Sequence, residues 1–120
     1  MKKYETTDLH IHKLCNELIE LIDKQKNQLK KSFIMFDDDQ CREIMTAVEK
    51  EDEIFEKDVK SIVALYEMAQ SSITKMKAST EKIDSLSTID MKIIDECLNK
   101  MLLGIYNKWV RSVNQCLILT

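Results

Sequence analysis

Proline is absent and glycine occurs once, at position 104, in a chain of 120 residues. The turns of sandwiches and barrels depend on those two residues, so a β-rich fold is excluded. Phosphate-cradling loops and dinucleotide fingerprints need several glycines close together, and Gly104 alone builds neither. No apolar run approaches the ~20 residues that cross a bilayer. The opening Met-Lys-Lys-Tyr-Glu-Thr-Thr-Asp has no apolar core of the kind a signal peptide carries. A cytoplasmic or nuclear location is therefore expected, with secretion the less favoured alternative. The net charge of −3 leaves no basic excess for nucleic acid or an anionic membrane. One basic cluster, Lys24, Lys26, Lys30 and Lys31, falls at the end of the first expected helix, where cations suit the negative end of the helix dipole.

What is present is apolar residues at helical spacing. Alternating steps of four and three residues land on Cys41, Met45, Val48, Asp52, Phe55, Val59, Ile62, Tyr66, Ala69, Ile73, Met76, Thr80 and Ile83. Every second member is apolar, which is the signature of a long helix pressed along one side against other helices. Asp52 is the single ionisable member. A carboxylate buried there without a partner would cost several kcal/mol, so the stripe is expected to be open to water at that level. Either the helix breaks near residue 51 or it runs past its partners. Length favours a break, since residues 53–86 would then match a first helix over about 8–34 and a last over about 88–118, each about 45 Å long at 1.5 Å per residue.

The first helix, with Thr6, Thr7 or Asp8 as its cap, carries Ile11, Leu14, Cys15, Leu18, Leu21, Ile22, Leu29 and Phe33 on one side. Asp37-Asp38-Asp39 lacks the alternating ligands and central glycine of a calcium loop and reads instead as the cap and first turn of the next helix. Ser87 with Asp90 reads as a capping box that opens the last helix. That helix is the most apolar of the three, with Met91, Ile94, Leu98, Met101, Ile105, Trp109, Val113 and Cys116 on one face, and should be the most buried. The chain is thus expected to form one domain over residues 1–120: an all-α, antiparallel bundle of three long helices with coiled-coil-like packing. Helices are expected over about 8–34, 40–86 and 88–118, with a short fourth segment near 39–50 if the break occurs. In number and length of helices the layout is similar to spectrin-like repeats and syntaxin regulatory domains.

Chemistry is poorly provided for. His10 and His12 are the only histidines, and at i, i+2 they point to different sides of a helix. There is no Glu-x-x-His, His-Glu-x-x-His, Cys-x-x-Cys or Gly-x-Ser-x-Gly, which removes the usual di-metal, zinc-protease, redox and hydrolase sites. A nucleophilic pair of Cys15 with His12 would lack a third orienting group. Cys15, Cys41, Cys97 and Cys116 all fall on apolar stripes and read as small core residues. In a secreted chain the only acceptable disulfides would join Cys15 to Cys97 and Cys41 to Cys116. Phe55, Tyr66, Met101 and Trp109 read as core rather than as the lining of a ligand cavity. No catalytic residue, cofactor, metal or small-molecule substrate is expected.

The function expected is that of a non-enzymatic interaction or assembly subunit, the alternative being a small secreted or viral helical regulator that binds a receptor or signalling protein. The central stripe is widened by Ile44, Leu65, Leu86, Val63, Ile54 and Met68, enough to touch two neighbouring helices. A break near 51 would leave Cys41, Ile44, Met45 and Val48, with Phe33, Ile34 and Phe36 just upstream, as an exposed apolar patch. These seven residues are the expected contact with a protein partner, either a second copy or another helical subunit. Ile62→Asp and Ile105→Asp should each unfold the domain, read by circular dichroism, because an unpaired buried carboxylate costs several kcal/mol against a total of ~5–15.

Overall fold

The structure, a computed structural model, describes residues 3–5, 10–79 and 84–119, with side chains placed for 3–5, 10–75 and 92–117. Among the described residues the fold has three helices, α1 (His10–Ser32), α2 (Asp38–Ser79) and α3 (Asp84–Leu119), with a 3-10 turn at Phe33–Met35 between the first two. It is an all-α antiparallel bundle. The cap candidates Thr6, Thr7 and Asp8 and the stripe members Thr80 and Ile83 lie outside the described residues, as do the side chains of Met76, Leu86 and Met91. Ser87 lies inside α3 and does not open it, since that helix already runs from Asp84.

The start of α2 follows from its sequence. Asp37 Oδ1 accepts a hydrogen bond from the Gln40 backbone N–H at 2.8 Å, and Gln40 Oε1 accepts one from the Asp37 N–H at 3.2 Å. This reciprocal pair satisfies two donors that a helix start leaves without partners. Asp38 and Asp39 occupy the first turn, where negative charge is favoured.

From there α2 runs unbroken for 42 residues. At 1.5 Å per residue that is about 63 Å, the long dimension of a molecule measuring 65 × 24 × 16 Å. The expected break near residue 51 is absent, and with it the short fourth segment. The reason lies in the partners that Asp52 finds, described below. The rod shape shows in the radius of gyration, 18.7 Å, against about 14 Å for a compact domain of this length.

The core is where the stripe placed it. Val48, Phe55, Val59, Ile62 and Tyr66 of α2 are buried, with Cys41, Ala69 and Ile73 half-buried along the same line. They meet Leu98, Leu102, Trp109 and Val113 of α3 and Ile11, Cys15, Leu18 and Ile22 of α1. The alignment of α1 differs from the expected one. Lys26 pairs with Asp52, so in antiparallel register His10, sixteen residues before Lys26, comes level with Met68, sixteen after Asp52. α1 therefore covers α2 from its first turns to about residue 68, and the far end of the α2–α3 hairpin has two helices only.

Two expectations change in consequence. Ile44 and Val48, expected on an exposed patch, are 1% and 0% exposed, because the unbroken helix holds them between α1 and the second half of α3. And α3 is not the most buried helix: Ile93, Met101 and Leu103 are large apolar side chains left open to solvent, and Ile105 is only half-buried. Apolar residues run all round α3, while its neighbours cover one side. Replacing Ile44 and Val48 together with Ser should accordingly destabilise the bundle by about 4 kcal/mol or more, seen as a large drop in the thermal transition followed by circular dichroism.

Candidate interaction surfaces

Asp52 joins all three helices. Its Oδ2 accepts from Lys26 Nζ of α1 at 2.6 Å, and its Oδ1 accepts from Trp109 Nε1 of α3 at 2.9 Å. The side chains of Lys26 and Asp52 are only 21% and 14% exposed. The expectation that water reaches Asp52 is thus corrected: the carboxylate is largely covered and each oxygen has its own donor, which is the condition under which a buried charge is tolerated. Close by, Gln25 Nε2 donates to the Tyr106 hydroxyl at 2.7 Å, fixing α1 against α3 one residue away.

The seven residues expected to bind a partner divide into two groups. Ile44 and Val48 belong to the core. Phe33, Phe36, Cys41 and Met45 are half-buried, and Ile34 is 91% exposed. Met35, not one of the seven, is 87% exposed beside it. The turn that presents them is held on its inner side. The Phe36 N–H donates to the Phe33 carbonyl at 3.1 Å, the Cys41 thiol reaches the same carbonyl at 3.6 Å, and the Cys41 N–H donates to the Asp37 carbonyl at 3.0 Å. Phe33 and Phe36 pack onto the core cluster, so two aromatic rings anchor the turn while Ile34 and Met35 point away from it.

A second apolar region lies along the hairpin. Of the residues read as widening the α2 stripe, Val63 is buried and Ile54 half-buried, but Leu65 and Met68 are exposed. Gly104 of α3 has open space where a Cβ would stand, with nothing within 4 Å, so no neighbouring helix explains it. Phe55, Tyr66 and Trp109 are core, as expected, whereas Met101 is open to solvent.

Groups with chemical potential are dispersed. Cys15 is fully buried, and burial pushes its thiol up to about 11, so it stays protonated and inert at neutral pH. His12, three residues before it, stacks on Tyr4 at 4.5 Å between ring centroids, and neither ring nitrogen has a hydrogen-bond partner among the described residues. Burial first, then the neighbouring Cys15, Glu67 and Glu56, push the Tyr4 hydroxyl up as well. The segment carrying Tyr4 is clasped to α1 by Asn16, which accepts from the Tyr4 N–H at 2.8 Å and donates to its carbonyl at 3.1 Å. None of the four cysteines is joined in a disulfide, and Cys97 lies on the surface. Among the described residues no three His, Cys, Asp or Glu side chains gather as a metal site would require, and no helix is long and apolar enough to cross a membrane.

These features define the class as an all-α antiparallel helical bundle with two exposed apolar surfaces, one at a turn and one along a hairpin. Comparison with protein-family models, with curated proteins and with solved structures finds no match to the chain.

The Asp52 contacts carry a direct test. Asp52→Leu, harmless if water bathed the stripe at that level, should instead cost about 2 kcal/mol, because it leaves the Lys26 ammonium and the Trp109 N–H poorly paired. Chemical denaturation with the Trp109 fluorescence as probe reads both the stability loss and the change around the indole.

Proposed function

We propose that this chain is a non-enzymatic interaction subunit, which docks a partner protein through the apolar turn between α1 and α2. The observation that supports the reading is the exposure of Ile34 and Met35, 91% and 87%, on a turn whose backbone is internally hydrogen-bonded. Two large apolar side chains held out in water contribute nothing to this fold. On a rigid mount, they enter a partner's pocket with little ordering left to lose. The flanking charges, Lys30 and Lys31 before the turn and Asp37, Asp38 and Asp39 after it, are mixed in sign, which suits a protein better than an anionic membrane. Half-buried Phe33, Phe36, Cys41 and Met45 form the rim of this contact, and Ile44 and Val48 support it from within the core.

The partner fitting this surface is a protein with an apolar pocket, such as another helical subunit. Cys15, Cys41, Cys97 and Cys116, none of them in a disulfide, suit a reducing compartment, the cytoplasm or nucleus. They lend nothing to a secreted regulator, for which disulfides joining Cys15 to Cys97 and Cys41 to Cys116 would be wanted.

Replacing Ile34 and Met35 together with Asp should leave helix content and thermal transition unchanged within about 0.5 kcal/mol, since both are surface positions. The same change should abolish capture of the partner that the parent chain retains in a pull-down from its native cell. Equal capture by parent and variant would place the binding surface elsewhere.

A further inference from the structure

The face of the hairpin turned away from α1 has a composition that fits one occupant. Residues on an α-helix succeed one another every 100°. On α2 that sets Ile54, Asp58 and Leu65 on the side opposite Asp52, the residue that binds α1. On α3 it sets Cys97, Met101, Gly104 and Lys108 on the side opposite Tyr106, the other α1 contact. The two sides meet in a crevice lined by Glu51, Ile54, Phe55, Asp58, Ile105, Lys108 and Trp109. Along the groove leading from it, Leu65 and Met101 are 49% and 51% exposed, about one and a half turns apart in level. Gly104 leaves the α3 wall flat, since a Cβ there would touch nothing within 4 Å.

Charge is sorted by wall. Where it lines the crevice between residues 51 and 58, α2 presents Glu51 and Asp58 and no cation. Between residues 97 and 111, at the same level and beyond, α3 carries Lys100, Lys108 and Arg111 and no carboxylate. Among the described residues Glu51, Asp58, Lys108 and Arg111 make no ion pair within the chain. An apolar groove with one acidic and one basic wall is complementary to itself. Turned by half a revolution about an axis running along the groove, a second copy lays its α3 antiparallel against α2 of the first at the same level, and its α2 against α3. Asp58 of each chain then faces Lys108 of the other, and Leu65 and Met101 close over each other between them. A two-fold axis across the helices would instead set α2 on α2, acid wall to acid wall.

We propose that this groove is a self-association surface, on which two copies of the chain pair about a two-fold axis along the groove. α2 and α3 of both copies form an antiparallel four-helix bundle, with each α1 on the outside. The surface is distinct from the Ile34–Met35 turn, so either can fail without the other.

Sedimentation equilibrium of the full chain should give a species of twice 14.1 kDa. Leu65→Glu combined with Met101→Glu should give a monomer of unchanged helix content, both positions being half-exposed within one chain, whereas Ile34→Asp with Met35→Asp should remain dimeric. Asp58→Lys alone and Lys108→Asp alone should each weaken association about tenfold or more by opposing like charges. An equimolar mixture of those two variants should recover a heterodimer, since each cross-pair then joins a lysine to an aspartate. A parent chain that stays monomeric at millimolar concentration overturns the proposal. So does a dimer that survives the Leu65 and Met101 replacements, or a pair of charge-reversed variants that do not rescue each other.

Discussion

One carboxylate sets the geometry of this molecule. Asp52 stands on the most apolar line of the longest helix, where a charge is tolerated only if every lone pair that leaves water finds a donor. Its two oxygens take those donors from two different helices, Lys26 of α1 and Trp109 of α3. Apolar packing alone is indifferent to sliding by a heptad, because one row of Leu and Ile fits the next about as well as the last. A carboxylate with a partner on each side is not indifferent, so the pair fixes the register of all three helices at one level. The role of a single polar group in specifying alignment is well attested in coiled coils, and here it acts between helices of one chain.

The rest of the shape follows from that register. α1 has 23 residues and α2 has 42, so with Lys26 held at Asp52, α1 ends level with about Met68 and the far hairpin stands without it. Within the covered part α1 lies on one side only. The opposite groove between α2 and α3 stays open, and an α3 with apolar residues on every side keeps Ile93, Met101 and Leu103 in contact with water. A short first helix on a long hairpin therefore leaves an open face and an open end, and both are products of length as much as of composition.

How much of this was legible in the sequence depends on what a periodic pattern encodes. The spacing from Cys41 to Ile73 gave the helix and its buried side, because periodicity of 3.5 is a property of one helix and needs no partner to be read. The Asp37 cap was legible for the same reason, being local chemistry between residues three apart. Asp52 was misread because a stripe names a face without naming what opposes it. The missing signal was nonetheless present: Lys26 follows Ile22 by four residues and precedes Leu29 by three, which makes it the cation on the apolar line of α1 as Asp52 is the anion on that of α2. Two such exceptions of opposite sign on facing stripes point to each other. Taking them singly produced the break near 51, and from the break came the exposure of Ile44 and Val48 that the fold does not have. Ser87 and Asp90 have the spacing of a capping box, but residue types that cap a helix also tolerate its first turns, and α3 begins at Asp84.

The cysteines make the bundle report on its own opening. Cys15 is sealed between α1 and its neighbours with its thiol protonated, whereas Cys97 lies in water on α3. In a single chain a thiol-specific reagent reaches Cys97 at its intrinsic rate, but it can reach Cys15 only in the moments when α1 lifts away. The two sites thus behave as a clock and its reference: one measures reagent, the other counts excursions. The ratio of their labelling rates is an equilibrium constant for the undocking of α1, obtained from the native sequence without denaturant, dye or added probe.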